Sequence, residues 1–279
     1  MKKFLISFLL LFLLGLYIPF ASFAQEATPI PTEEPFNFER ARKDYIYNME
    51  IYKKAYANYQ LARSEYLQAK TLISQNKAKE ATLEMLKARD EVVITYLTML
   101  RMKLAEVRGI SDTVRDGFYA RIDTEVSWHL KHKDILTSAA TLEDLFADSD
   151  EAKIRFPLTE GVTYEILSEI MFAKASLVRE SAKSVFDELK QFVSEVRQSG
   201  KKDTSVIERW ILAVENKFTR SDDKEMEARN IAIRLSKAPS SQRLNLYYEE
   251  RFRLEESLQY LKEAQNYMKE IVKEIKTAD

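Results

Sequence analysis

The chain of 279 residues contains no cysteine, five glycines, six prolines and two histidines. Without cysteine it can form neither disulfide bonds nor thiolate metal sites, and it has no cysteine for lipid attachment. So few glycines and prolines leave little material for turns, while Ala, Leu, Glu and Lys are plentiful, which favours long helices. With two histidines close together, any nucleophilic triad would have to recruit one of them, and nothing in the sequence points to its partners.

The chain also lacks an excess of either charge, with 43 basic and 44 acidic side chains and a formal net charge of −1. A nucleic-acid-binding protein normally shows a basic excess, and a membrane-surface peptide a cationic face. The sequence has no glycine-rich phosphate loop and no serine in a nucleophile-elbow context. We therefore predict a protein that is not an enzyme, has no bound cofactor and has no nucleic-acid partner.

The N-terminal 24 residues have the pattern of a secretory signal peptide. Lys2 and Lys3 precede an apolar run from Phe4 to Phe20, and small residues follow at Ser22 and Ala24. Charge, apolar core and small-residue cleavage site occur in that order in signal peptides. We predict cleavage after Ala24 and an exported protein that is extracellular, on the cell surface or periplasmic. The alternative is a retained membrane anchor, because the apolar run approaches the roughly 20 residues of a spanning helix.

Residues 25–37 form a segment rich in proline and glutamate, which we interpret as an extended tether because proline blocks helix and the acids keep the segment solvated.

Beyond the tether, large side chains, all but the last of them aromatic, recur every seven residues, and small or polar side chains form a second line three residues later. The two lines consist of Phe38, Tyr45, Tyr52, Tyr59, Tyr66 and Ile73, and of Ala41, Asn48, Ala55, Ala62 and Ala69. This heptad pattern predicts a helix whose tyrosine seam packs against a partner helix. A sugar- or peptide-binding face is the alternative.

Similar apolar periodicities and capping residues predict the remaining helices. The expected ranges are 76–107, 111–136, a short helix over 141–146, 160–198, 205–237 and 240–276. Asn76 is the expected cap of the first of these helices, and Ser205 is the expected cap of the helix over 205–237. A break of that helix near Ser221 is left open. The segment 147–159 reads as an irregular hinge because it carries several acids and Pro157. The predicted division is thus a hairpin with two further helices over 38–147 and a long-helix bundle over 148–279.

Long helices joined by short links must lie antiparallel to their neighbours. The predicted fold class is therefore all-α, an elongated antiparallel bundle of long, coiled-coil-like helical hairpins. Beyond the N-terminal run, no apolar stretch reaches the length of a membrane span.

The metal-site candidates are Glu125, His129 and His132, because their spacing places them on one face of a helix. Lys131 and Lys133 flank the histidines and disfavour a divalent cation there. A di-metal carboxylate site would also need a second Glu-x-x-His set, which the chain lacks. We therefore predict no metal ligand and interpret the histidines as a partly exposed pair beside a packing edge.

Two acidic clusters invite a cation-binding hypothesis. The first contains Asp222, Asp223, Glu225 and Glu227, and the second contains Asp148, Asp150 and Glu151. The first has no second motif for a diphosphate-bound Mg²⁺, so a solvated helix cap or kink is the favoured interpretation. The second lacks the glycine and the distal glutamate of a calcium loop, so a polar loop is favoured.

We expect a non-enzymatic envelope or surface protein that acts as a scaffold, a spacer or a partner-binding module. Its partner is an unknown protein or a second copy that meets its helical seams, and membrane contact is confined to an uncleaved N-terminus. One alternative is a membrane-active, pore-forming bundle, with Val92–Leu100 as the inserting segment. The other is a helical metal- or ligand-binding protein, which should show a pocket at the helix junctions near Phe146 to Tyr164.

Overall fold

The structure is a computed structural model that describes residues 36–200 and 203–277. Helices account for 92% of it, and no strand occurs in these ranges, which confirms the all-α fold. The helices are α1 (Phe38–Ala69), α2 (Leu72–Glu106), α3 (Asp112–Ser138), α4 (Leu142–Gln198), α5 (Ser205–Lys237) and α6 (Ser240–Thr277). The predicted signal peptide and most of the tether lie outside the described residues.

Helices α1 and α2 form the predicted antiparallel hairpin through the tyrosine seam. Tyr45 near the start of α1 meets Tyr96 near the end of α2, with ring centroids 5.4 Å apart. Near the turn, the carboxylate of Glu65 lies 3.9 Å from the ammonium of Lys77. Ala41 and Ala62 on the small line are buried, and the aromatic residues of the seam are half-buried beside them. The small side chains thus allow close approach, as the heptad pattern predicted.

The turn between α1 and α2 lies several residues earlier than predicted. Lys70 takes a left-handed conformation, and Thr71 caps α2 in a reciprocal capping box with Ser74. Asn76 therefore lies inside α2, and its prediction as the N-cap was wrong. The two hydroxyl groups satisfy the free N–H groups at the start of the helix, so α2 begins at Leu72.

Helix α4 is one continuous helix of 57 residues, about 85 Å long at the rise of an α-helix. The capping box of Thr141 and Asp144 is confirmed, but the predicted short helix and the irregular segment 147–159 were wrong. Pro157 removes one backbone donor. Arg243 of α6 donates to the carbonyl oxygen of Pro157 and lies 3.4 Å from the carboxylate of Glu160, so α6 contacts α4 directly beside the proline. The division at residue 148 stays a prediction.

The two largest hydrophobic cores in the described residues both include α4. The first core lies between α2, α3 and the first half of α4, and contains Leu97, Leu100, Leu104, Val107, Ile110, Ile122, Val162, Ile166, Ile170 and Ala173. The second core lies between the last half of α4, α5 and α6, and contains Val185, Phe186, Leu189, Val193, Ile207, Val214, Phe218, Leu261, Ala264, Met268 and Ile271. The wide apolar arc predicted for α2 is confirmed, because α2 packs against α1, α3 and α4.

Helix α5 runs without a break through Ser221, whose hydroxyl lies 2.9 Å from that of Ser257 in α6. Both serines are fully buried, so this pair joins the two helices at mid-length. The predicted cap at Ser205 was wrong, because Thr204 is the N-cap and the Ser205 N–H donates to Asp203 at 2.9 Å. Among the described helices, none combines the length and hydropathy that a bilayer crossing requires.

Glu250 on α6 is a fully buried carboxyl group against α4. Its Oε2 accepts a hydrogen bond from the Ser168 hydroxyl at 2.8 Å, and its Oε1 has no hydrogen-bond partner. Burial raises the pKa of Glu250 to about 7, against the smaller opposing effect of the Ser168 hydrogen bond. The folded protein therefore favours the neutral acid.

We predict that Glu250→Gln removes a pH-dependent loss of stability. Because the folded pKa is raised, the contribution of Glu250 is fully present below the ordinary carboxyl pKa and is lost as the pH rises through about 7. Between those limits, the unfolding free energy of the wild type should fall relative to Glu250→Gln by about 3 kcal/mol. Urea unfolding of both proteins at stepped pH measures this difference, and parallel curves would contradict the prediction.

Candidate functional site

The buried polar centre of the molecule joins α2 to α3 at Asp90. One carboxylate oxygen of Asp90 lies 2.9 Å from Nδ1 of His129, and the other lies 2.6 Å from Nδ1 of His132. Asp90 is fully buried, and the two histidines are 5% and 1% exposed. The prediction of a partly exposed histidine pair was therefore wrong, because both rings face the interior of the bundle.

The hydrogen-bond partners of His132 fix its charge. Nδ1 meets the Asp90 carboxylate, and Nε2 lies 2.9 Å from the backbone carbonyl oxygen of Asp148 on α4. Both partners only accept, so both ring nitrogens must donate and the ring is an imidazolium. Burial would lower the pKa of His132, but the hydrogen bonds to Asp90 and Asp148 outweigh it and raise that pKa.

The charge of Asp90 complements that of His132. Burial would raise the pKa of the Asp90 carboxyl, but the hydrogen bonds from His129 and His132 hold it below the ordinary value. Asp90 and His132 thus form a buried ion pair whose charges cancel. Such a pair is costly to bury and is stabilised only when its hydrogen bonds are complete.

His129 has one ring nitrogen engaged and one free. Its Nδ1 lies 2.9 Å from the Asp90 carboxylate, and in the neutral tautomer that donates from Nδ1 the other nitrogen, Nε2, carries a lone pair. Nε2 is buried and has no hydrogen-bond partner among the described residues. Trp128 fixes the arrangement, because its ring stacks on His132 at 4.9 Å and meets His129 edge-on at 4.8 Å.

Glu125, the third sequence candidate, does not join the histidines. Its carboxylate accepts from Arg155 at 2.6 and 3.0 Å and from the Thr159 hydroxyl at 2.7 Å. These bonds direct the Glu125 carboxylate toward α4. In the ranges that the structure describes, no three His, Asp or Glu side chains are grouped so that they could hold a metal ion.

A cavity of about 500 Å³ lies beside His129, between α1, α2, α3 and α4. Its wall is mostly aromatic and aliphatic, from Tyr45, Val92, Val93, Tyr96, Ala152, Phe156, Tyr164 and Leu167. Polar groups come from Arg89, His129, Lys153, Thr159, Glu160 and Thr163. Burial is the main cause that raises the pKa of Tyr96 to about 12, so its hydroxyl stays neutral in the wall. A volume of this size and an apolar wall with few polar groups are typical of small-molecule sites.

Arg89 also lines the cavity and has one unpartnered nitrogen. Its Nη1 donates to the Ser149 hydroxyl at 3.3 Å, whereas Nη2 is buried without a hydrogen-bond partner. In the described part of the chain, no carboxylate forms an ion pair with Arg89. Buried donors and acceptors are normally satisfied, so the unpartnered nitrogens of Arg89 and His129 are unusual features of the residues around this cavity.

The two predicted acidic clusters have other roles. Asp222 and Glu225 bind Arg179 of α4, and Glu227 lies 3.1 Å from Arg253 of α6, so these acids join helices. They lie within α5, and their interpretation as a helix cap or kink was wrong. Asp148, Asp150 and Glu151 lie inside α4, so their interpretation as a loop was also wrong.

Sequence reasoning missed Asp90 and Arg89, although α2 contained a signal for Asp90. The apolar stripe of α2 includes Leu83, Leu86, Val93 and Leu97, and Asp90 occupies the stripe position between Leu86 and Val93. A charged residue on the buried face of a helix requires a buried partner. The two histidines, spaced on the buried face of α3, were the available partners.

We predict that Asp90→Asn strongly destabilises the protein, because it leaves the His132 imidazolium buried without its counter-charge. The expected loss is about 3 kcal/mol or more in unfolding free energy, measured by urea unfolding at pH 7. Asp134→Asn on the exposed face of α3 is the control and should change stability by less than about 0.5 kcal/mol. Equal losses in the two variants would contradict this role for Asp90.

Comparison with known proteins gives no relative from which a function could be inferred for this arrangement. No protein-family model, no curated protein and no solved structure matches the chain. The chemistry available to the site therefore follows from its own side chains: a largely apolar cavity beside a buried cluster of one carboxylate and two imidazoles.

Proposed function

We propose that this chain is an exported, non-enzymatic helical protein that binds one small, largely apolar molecule in the cavity between α1, α2, α3 and α4. The observation that carries the proposal is the cavity of about 500 Å³ with its largely aromatic and aliphatic wall. Of the functions expected from the sequence, this one corresponds to the helical ligand-binding alternative. The lining residues Phe156 and Tyr164 fall where that alternative required a pocket.

The buried histidine cluster supports a functional use of the cavity. A buried ion pair is often no more stabilising than well-packed apolar side chains of the same volume. Asp90 occupies a stripe position where leucine would satisfy the fold, yet it aligns His129 against the cavity. Perturbed ionisable groups beside a cleft are typical of functional sites.

Binding is favoured over catalysis by what surrounds His129. A histidine base in nucleophilic catalysis is hydrogen-bonded to a hydroxyl or thiol that it activates. In the described residues, no hydroxyl is hydrogen-bonded to Nε2 of His129. The apolar wall of the cavity can enclose a ligand without such a reacting pair.

The other functional expectations stay proposals. Residues 1–24 support export, and no protein partner follows from the contacts described. Val92 and Val93 line the cavity, and Leu97 and Leu100 belong to the first core. The most apolar segment therefore already has a packing role, which favours a binding protein over a membrane-inserting one.

We predict saturable binding of N-phenyl-1-naphthylamine, a neutral aromatic dye whose fluorescence rises in apolar surroundings. Thr163 lines the cavity, so Thr163→Trp fills it and should weaken dye binding by about tenfold or more, measured by fluorescence titration. Thr219→Trp on the exposed face of α5 is the control and should bind the dye as the wild type does.

Two results would refute the ligand-binding proposal. One is the lack of saturable dye binding to the wild type. The other is equal affinity in the wild type and in folded Thr163→Trp, since the dye would then bind elsewhere. Circular dichroism establishes that each variant is folded.

A further inference from the structure

The turn between α1 and α2 forms an end of the molecule that projects beyond the other helices. Lys79 is the residue of α2 nearest this turn that contacts the α3–α4 connection, through a hydrogen bond of 2.5 Å to the carbonyl oxygen of Ala140. Closer to the turn, the hydrogen bonds and ion pairs of the described residues lie within α1 and α2 or join these two helices, as Lys77 does with Glu65. The start of α2, from Leu72 to Lys79, therefore projects about 10 Å beyond the α3–α4 connection.

Three aliphatic side chains are exposed at this projecting end. Leu67 is 53% exposed, and Leu72 and Ile73 are each 72% exposed. Among the large apolar side chains of the described residues, Ile154 alone is more exposed than Leu72 and Ile73. All three lie within one helical turn of Lys70, whose left-handed conformation reverses the chain. An exposed apolar patch with a polar rim marks a surface that contacts a protein or a membrane.

The same end of the molecule is basic. Because Glu65 faces Lys77, Ala62 of α1 is level with Lys79 of α2, and we call residues 62–79 the hairpin tip. The hairpin tip contains four basic residues and one acidic residue, a formal charge of +3, whereas the whole chain carries −1. The basic residues are Arg63, Lys70, Lys77 and Lys79. Aliphatic side chains at an end with cations behind them match an anionic bilayer, whose acyl boundary takes up the former while its headgroups meet the latter.

A protein partner fits the hairpin tip less well than a lipid surface does. A stable protein interface involves about 20–30 residues on each side, far more than the end of a two-helix hairpin offers. A second copy that met the first tip to tip would bring two charges of +3 together, and like charges oppose association. A bilayer requires no complementary shape and supplies both the apolar region and the opposite charge.

We propose that the hairpin tip is a peripheral membrane contact, in which Leu67, Leu72 and Ile73 enter the interface of an anionic bilayer and the surrounding cations bind its headgroups. The projecting length of about 10 Å matches the roughly 5–10 Å to which interfacial segments penetrate. Such a contact requires no membrane-spanning helix and does not depend on the cavity or its ligand. It extends the membrane contact expected for the N-terminal segment to the far end of α1.

The test is co-sedimentation of the chain from Gln25 onward with two kinds of vesicle, one of phosphatidylcholine and one of equal parts phosphatidylcholine and phosphatidylglycerol. This processed chain lacks the apolar run of the predicted signal peptide and retains all the described residues. It should partition onto the mixed vesicles at least about tenfold more strongly than onto phosphatidylcholine. Added salt should reduce this difference, because it screens the headgroup charge.

A first pair of double variants tests the aliphatic side chains. Leu72→Ser with Ile73→Ser should weaken partitioning onto the mixed vesicles by about tenfold or more, because two side chains no longer leave water for the acyl boundary. Ile154→Ser with Ile233→Ser is the matched control. It removes two exposed aliphatic side chains from α4 and α5 and should bind as the unsubstituted chain does.

A second pair tests the charges. Arg63→Gln with Lys70→Gln should weaken binding to the mixed vesicles by about tenfold or more and leave binding to phosphatidylcholine unchanged. Lys131→Gln with Lys237→Gln is the matched control, since it removes two exposed cations outside the hairpin tip, and it should retain the preference for the mixed vesicles.

Three results would overturn the proposal. One is failure of the unsubstituted chain to bind the mixed vesicles. Another is equal binding by the unsubstituted chain and the folded Leu72→Ser, Ile73→Ser variant, since the membrane would then be met elsewhere. The third is self-association that this variant abolishes, without vesicle binding, which would assign the hairpin tip to a second copy. Circular dichroism establishes folding, and the two vesicle compositions test the unsubstituted chain even if a variant does not fold.

Discussion

The carboxylate of Asp90 is the constraint on which the centre of this molecule depends. It has to be buried because it occupies the apolar face of α2, and it can be buried because two imidazoles of α3 donate to it. Those bonds determine that His132 is charged, and the second nitrogen of His132 then binds the backbone of α4 at Asp148. One acid thus links three helices and orients His129 toward the cavity between them.

The sequence was informative wherever structure follows from spacing along one helix. The tyrosine seam and the wide apolar arc of α2 both follow from local periodicity. The capping boxes were less reliable, because several hydroxyl residues lie close together at each turn. Thr71, rather than Asn76, caps α2, because its partner Ser74 completes the capping box.

The remainder could not be predicted because it depends on pairs that are distant in the chain. The contact of α6 with α4 at Pro157 comes from Arg243, 86 residues away, and the acids of α5 are neutralised by Arg179 and Arg253 on other helices. The same holds for the candidate site. His129 and His132 were identified from their spacing, but Asp90 is 39 residues from the nearer histidine. Arg89 lines a cavity that forms only when four helices pack together, which no pattern along the sequence can reveal.

The uninterrupted course of α4 has a mechanical consequence. Residues 152–167 of this helix form one wall of the cavity, and its later turns, from Val185 to Val193, belong to the second core. Because no loop separates these two segments of α4, neither can rotate about a flexible hinge between them. Adjustment of the wall to an occupant must be taken up by bending or sliding of the whole rod, so the distant core shares the elastic strain.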